Sequence, residues 1–436
     1  MVRSVLSAAV AAVAFTGLAI AQVYGDCGVG AFCLGGCDPL MSHSFDSCVP
    51  GPVCKSGTYK LDSLDDVQTI DKYLGDASKI NWQSQGMPIE YTDPKTKEKA
   101  TLLTMAQGTV GTLLASTYYV WYGKICSKLS TAQGKGVVTA FILMSDVKDE
   151  IDFEWVGSNR LYVFPDVRLP YSKTDPETDD NGEDLKVPGG NTVDTMHEYC
   201  VDWKEDTLTW SIDGKEMRSL DRESTWNDTS GRYSFPQTPA RIMLSLWPAG
   251  LPSNAKGTVE WAGGEIDWNS PYMNNGYYAA RFSEVTVECY DPPPAAQIKG
   301  KKTYKYTDEA GTNNTVAITD DEVILGSLMG TGENPGEADK DDDKSKPSQS
   351  VAMVPGGNPG GGAGREVAET STLAQQNPNV QATGESSGNG ATSQGQFIQG
   401  GTSGSTGAGA VVQPALKQMG GSVFAVVLAI FGLMVL

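Results

Sequence analysis

The sequence predicts an all-β fold, a sandwich of two sheets, and three observations carry that expectation. Residues 56–290 consist of short runs that are either apolar or alternate in polarity; Tyr199, Val201 and Trp203 alternate, as do Leu208, Trp210 and Ile212. That is the two-residue period of a strand with one face in a core. Turn signals such as Asp213-Gly214 and Pro188-Gly189 separate the runs. The third observation is a run of acids at alternate positions, Asp149-Glu150-Ile151-Asp152-Phe153-Glu154.

Taken in order, the strand candidates begin with Thr101–Thr104 and the aromatic, β-branched run Tyr118–Ile125. Gly136–Met144 is an almost wholly apolar run. Glu198–Trp203 and Thr207–Ile212 alternate, and Asp213-Gly214 closes the hairpin that follows. Arg241–Trp247 and Ser283–Tyr290 complete the set. A segment of roughly 235 residues is ample for a two-sheet core.

The acidic run carries the chemistry. Side chains alternate faces along a strand, so Glu150, Asp152 and Glu154 share one face while Ile151, Phe153 and Trp155 point into the core. Residues four apart on a strand have Cα atoms about 13 Å apart, and two Glu side chains leaning together close much of that gap. The target is the ~5–5.5 Å carboxyl separation of a retaining glycosidase pair. Asp152 between them would hydrogen-bond the nucleophile. A merely solvated acidic face is the alternative, but three like charges on one face repel.

The ends of the sequence point to export. Arg3, the apolar stretch Ala8 to Ile20 and the motif Ala19-Ile20-Ala21 read as a signal peptide over residues 1–21, leaving Gln22 as the mature start. At the other end, residues 411–436 finish in the apolar run Val423 to Leu436 with no basic residue after it. Small residues at Gly407-Ala408-Gly409-Ala410 precede a spacer, the pattern of a GPI-anchor signal with Ala408 as the attachment site. The implied location is outside the cell, lipid-anchored to the plasma membrane.

Eight cysteines in an exported chain suggest four disulfides. Cys27, Cys33, Cys37, Cys48 and Cys54 lie in a small module, residues 22–55; an odd number there requires at least one bridge to the body, which holds Cys126, Cys200 and Cys289. With only His43 and His197 in the chain, a Ser–His or metal–His site is disfavoured, and neither metal nor cofactor is expected. A net charge of −20 argues against nucleic acid as a partner. Residues 291–325, opening on Pro292-Pro293-Pro294, read as an extension packed on the domain. Residues 326–410, rich in Gly, Ser, Thr, Asn, Gln and Pro, read as a disordered stalk. Asn227 and Asn313 sit in N-glycosylation sequons.

The run Asp149-Glu150-Ile151-Asp152-Phe153-Glu154-Trp155-Val156-Gly157 resembles the signature of family sixteen glycoside hydrolases. Within that family the chain is similar to the fungal Crh-type cell-wall transglycosylases, through three further features. These are the motif Cys33-Leu34-Gly35-Gly36-Cys37-Asp38-Pro39 with Asp46-Ser47-Cys48, the motif Gly257-Thr258-Val259-Glu260-Trp261-Ala262-Gly263-Gly264, and the stalk with its anchor signal. The resemblance spans residues 22–290. It implies a curved β-jelly-roll sandwich whose concave face is the glycan cleft. It also implies Glu150 as nucleophile, Asp152 as its electrostatic helper and Glu154 as general acid/base. The reaction implied is transfer of chitin chains to β-glucan or chitin acceptors, crosslinking the wall, by an enzyme expected to act as a monomer.

For substrate contacts, the resemblance marks Trp247 as an aromatic that stacks on a sugar ring and Thr258 as a sugar-binding hydroxyl, with Glu154 also touching substrate. Met243 is also placed among the substrate-binding positions, where relatives often carry a polar or basic residue; the departure bears on one sugar hydrogen bond and not on the chemistry. Trp261, Trp268 and Arg160 are further cleft candidates, and the Gly257–Gly264 motif is expected on a late strand. The Cys-rich module, whose aromatics are few beyond Phe32 and Phe45, reads as a cap stapled to the catalytic domain, not an independent chitin binder. Two other readings compete: a retaining endo-β-glucanase or chitinase that uses water, and a wall lectin without turnover. A lectin has no need of three facing acids.

Overall fold

The computed structural model describes residues 30–337 apart from 41, 43, 169–182 and 229–230. The signal peptide, most of the stalk, the anchor signal with Ala408, His43 and Cys27 lie outside the described residues.

Two eight-stranded sheets form the body. The first runs β12 (Leu185–Lys186), β11 (Tyr162–Arg168), β10 (Glu150–Val156), β9 (Val137–Ser145), β18 (Ala240–Pro248), β7 (Thr112–Val120), β4 (Trp82–Gln85) and β3 (Val67–Thr69). The second runs β15 (Lys215–Asp221), β14 (Thr207–Ile212), β13 (His197–Trp203), β8 (Gly123–Ser130), β19 (Tyr277–Cys289), β6 (Lys99–Ala106) and β5 (Pro88–Thr92), with β2 (Gly57–Lys60) pairing on β19. The main core lies between them and draws on both: Phe141, Phe153 and Trp155 from the first sheet, Tyr199, Trp203, Trp210 and Phe282 from the second. Phe153 stacks on Phe141 at 6.2 Å and on Trp155 at 5.8 Å, and Tyr199 meets Trp155 edge-on at 4.5 Å, geometries that aromatic quadrupoles favour. This is the expected β-jelly-roll sandwich.

The β14–β15 hairpin turns on Asp213 (φ 50°) and Gly214 (φ 77°), the pair of positive φ angles that a tight hairpin matched to strand twist requires. Two expected elements differ. Tyr118–Ile125 is not one strand: it spans the end of β7, a turn at Trp121-Tyr122 with Tyr122 at φ 64°, and the start of β8. Residues 257–261 lie not on a late strand but in helix α1 (Lys256–Trp261). Gly263 and Gly264, at φ 84° and 110°, end that helix; Gly264 N–H reaches back to Val259 O at 2.8 Å, a glycine cap that stops a single helical turn and a half.

A third sheet joins segments from either side of the sandwich. Its order is β1 (Gly51–Pro52), β21 (Thr303–Tyr306), β22 (Val316–Thr319) and β20 (Gln297–Ile298), so the Cys-rich module and the extension share one sheet. A two-stranded ribbon, β16 (Trp226–Asn227) and β17 (Arg232–Tyr233), carries the Asn227 sequon. Cys54–Cys289 is the module-to-body bridge, Cys37–Cys48 closes the module, and Cys126–Cys200 joins paired residues of β8 and β13. Among the described residues there are thus three bridges rather than four. Cys33 carries a buried thiol pushed up to about 12, chiefly by desolvation, and donates to Gly30 O at 2.9 Å. Order also runs past the expected stalk boundary at 326. Gly30 N–H donates to Gly330 O at 2.8 Å, Gly332 N–H to Ser47 O at 3.2 Å, and Leu328 packs on Ala31 and Ile70. The apolar Leu325 and Leu328 anchor this strap, which the polar composition around them conceals.

Candidate active site

Strand β10 divides its side chains as its alternation dictates. Ile151, Phe153 and Trp155 enter the main core. Glu150, Asp152 and Glu154 stand on the opposite face, and the three are only 5%, 0% and 0% exposed. Three carboxyl groups this enclosed are costly to a fold, and Glu150 Oε1 has no hydrogen-bond partner among the described residues. A polar atom left so in a well-packed sheet is what a substrate-facing group presents.

The sheet register fixes the surroundings of the acids. Across β10, β9 and β18, Glu150 lies in a row with Met144 and Arg241, Asp152 with Ile142 and Met243, and Glu154 with Ala140 and Ser245. The floor beside the carboxylates is therefore apolar: Val138, Ala140, Ile142, Met144, Met243 and Trp247 form a second cluster on this face. A low-dielectric floor strengthens interactions with developing charge.

Strand β10 is fastened from both faces. From the core, Trp210 Nε1–H donates to the Asp152 carbonyl at 3.0 Å, and the Arg218 guanidinium lies 4.7 Å over the Trp210 ring. On the acid face, Trp247 Nε1–H points at Glu154 Oε1 at 3.3 Å. At the strand's start, Asp149 Oδ2 accepts from Thr238 Oγ1 at 2.6 Å, and burial pushes the Asp149 carboxyl up to about 6. In the turn before it, Asp146 Oδ1 accepts from Tyr119 OH and from Gly36 N–H, each at 2.9 Å, and burial raises it also to about 6.

The module reaches this face. Arg241 is buried, donating from Nε to Ser116 O at 2.8 Å and from Nη2 to Gln83 Oε1 at 2.6 Å. Gly35, at φ 129°, lies against its guanidinium so closely that a Cβ there would collide with it. The Cys-rich module thus packs on the body as a cap at the Glu150 end of the acid-bearing face.

The remaining candidates divide. Trp247 is 1% exposed, so its ring offers no open face to a sugar. Its neighbour Trp261, on α1, stacks against it at 6.4 Å with planes 22° apart and is only half-buried. Met243 packs in the apolar floor, and Thr258 sits half-buried on α1. Trp268 packs toward the main core, tilted on Tyr278 at 6.1 Å. Arg160 is held to Asn191 Oδ1 at 2.8 Å and to Asp194. Asn313 is half-buried, its N–H on Gln237 Oε1 at 3.3 Å. Sequence reasoning missed Asp149, Thr238, Trp210 and Arg241; only Asp149, at the head of the acidic run, carried a signal.

Comparison with known proteins places this arrangement. Glycosyl hydrolases family 16 matches residues 76–263. The chain is 48% identical over 355 residues to Crh-like protein 2 of Aspergillus fumigatus, covering 79% of this chain and 76% of the relative. It is 49% identical over 312 residues to Crh-like protein 3 of Botryotinia fuckeliana, covering 71% and 68%. Among solved structures, a Crh5 transglycosylase in complex with NAG shares 30% identity and a TM-score of 0.48, over 64% of this chain and 98% of that one. With the family match and these two Crh-like relatives, each alike over more than two thirds of both chains, the chain belongs to the Crh-like proteins of glycosyl hydrolases family 16.

Proposed function

We propose that the protein is a retaining transglycosylase that cleaves chitin and passes the cleaved chain to β-glucan or chitin acceptors in the fungal cell wall. One observation carries the reading: Glu150 and Glu154 stand on one face of a fastened strand, with Asp152 between them and the core behind. Glu154 gives its proton to the glycosidic oxygen as the Glu150 carboxylate attacks the anomeric carbon. The leaving sugar departs as an alcohol, and a glycosyl ester forms on Glu150. An acceptor hydroxyl then loses its proton to the Glu154 carboxylate and attacks the same carbon, and Glu150 is released as carboxylate. Asp152 supports Glu150 and does not react. Secretion and a lipid anchor at Ala408 fit this setting, as do N-glycans at Asn227 and Asn313.

Transfer must outcompete hydrolysis at the glycosyl-enzyme. Effective molarities of about 10⁵–10⁸ M for well-oriented groups are enough, provided the acceptor is held. We assign that holding to Trp261 and Thr258 on α1, beside the Glu154 end of the face. The test is product analysis with a chitin donor and fluorescent chito- and laminari-oligosaccharides. Labelled polymer supports the proposal, unlabelled short fragments mean a hydrolase, and binding without any product means a lectin.

A further inference from the structure

We propose that Asp149 is a positioning residue for Glu150: its carboxyl clamps the start of the acid-bearing strand to the loop at Gln237-Thr238, and the clamp sets where the nucleophile stands. This rests on the reading of Glu150 as nucleophile. Three donors converge on one oxygen. Gln237 N–H reaches Asp149 Oδ2 at 2.9 Å, Thr238 N–H at 3.0 Å and Thr238 Oγ1–H at 2.6 Å. Asp149 and Thr238 are both buried. The backbone of Asp149 is held too: its N–H donates to Ser145 Oγ at 3.0 Å and its carbonyl accepts from Ser145 N–H at 2.9 Å. These bonds close the turn between β9 and β10, where Lys148 takes φ 75°.

The loop that supplies the donors is fixed from inside the core. Trp121 Nε1–H donates to Gln237 O at 2.8 Å and Trp203 Nε1–H to Pro236 O at 3.2 Å, while Phe235 is buried beside them in the main core. Two buried indoles thus hold the loop's carbonyls while its amides hold Asp149. The loop then runs into β18, which carries Ser245 and Trp247. One carboxyl therefore ties together the starts of β10 and β18, the two strands that flank β9 and bring Glu154 to Trp247.

The clamp residue and the nucleophile are adjacent in sequence, so slack at one moves the other. A misplacement of about 1 Å costs on the order of 10²-fold in rate. Because all three donors meet at Oδ2, a proton on the other oxygen leaves every contact in place. An amide oxygen in the same position does the same. The clamp is geometric and not ionic.

The test uses the full chain, chitin as donor and a fluorescent chito-oligosaccharide as acceptor, with kcat and acceptor KM read per folded molecule and the folded fraction taken from thermal unfolding. Asp149→Ala should lower kcat about 10- to 100-fold with little change in KM. Asp149→Asn should recover most of the loss, and Thr238→Val, which keeps both amide donors, should fall between. Thr238→Val also carries the test if Asp149→Ala does not fold. Wild-type kcat in both Asp149→Ala and Thr238→Val, a loss confined to KM, or an Asn variant as impaired as Ala would each overturn the clamp. Glu150→Gln runs alongside: if it stays active, the reading of the nucleophile has failed; if it is dead while Asp149→Ala is unaffected, only the clamp has.

Discussion

The indole N–H of Trp247 points at Oε1 of Glu154 at 3.3 Å, and the Trp247 ring is enclosed between that carboxyl and Trp261. A donor aimed at one oxygen of Glu154, the proposed general acid/base, helps fix its rotamer. In the proposed mechanism Trp247 acts through Glu154, and the half-buried Trp261 is the ring offered to a sugar.

The two tryptophans should separate in experiment. Trp247→Phe keeps the ring stack and removes the donor, so donor cleavage and transfer should fall together, by up to about tenfold for one lost hydrogen bond. Trp261→Ala should lower transfer more than cleavage and raise the hydrolysis-to-transfer ratio. Both products are measured across acceptor concentrations. An unchanged ratio in Trp261→Ala would place acceptor capture elsewhere.

Glu150→Gln and Glu154→Gln should each reduce turnover by several orders of magnitude while leaving thermal unfolding near wild type, since each change is isosteric on a strand whose other face is packed. Asp152→Asn should cost less than either. Near-wild-type transfer by one of the Glu variants would remove that residue from the mechanism.

Stability should depend on pH through two carboxyls. Burial raises Asp146 and Asp149 from 3.8 to about 6. Between those values the folded state keeps protons that the unfolded chain has lost, so their contribution is present in acid and declines as pH rises through the window. Asp146→Asn and Asp149→Asn should therefore gain Tm relative to wild type between about pH 4.5 and about pH 7. A difference in Tm that stays flat across that range contradicts the assignment.

Cys54–Cys289 closes a loop of 235 residues around the whole sandwich. Replacing both cysteines by serine should destabilise the fold by about 2–5 kcal/mol, with the chain-entropy account placing a loop of this length toward the upper end. Denaturant titration reads the loss; an unchanged midpoint would mean that the third sheet alone holds the ends together.

Much of this was legible from local pattern. The acids of β10 and the Asp213-Gly214 hairpin are set by a two-residue period and by positive φ, both visible in a few residues. What was hidden is non-local. Asp149 and Thr238 are 89 residues apart and Trp247 and Glu154 are 93 apart, and no spacing announces either pair. Helix α1 is too short for a periodicity to show, and two glycines end it. Trp247 read as a platform because its enclosure depends on Trp261, which that same helix presents.

The clasp between Gly30 and Gly330 also decides how the molecule bears load. Tension applied through residues beyond Glu337 reaches the strap first, at Gly330 against Gly30 and Gly332 against Ser47. The strap leads into the module closed by Cys37–Cys48, which Cys54–Cys289 bridges to β19. A tether on that side would peel the strap away before it strained the strand that holds the carboxylates. In a single-molecule pull from the C-terminal side, the strap should yield as a separate, low-force event ahead of the sandwich; a single rupture of the whole body would show that the two share their load.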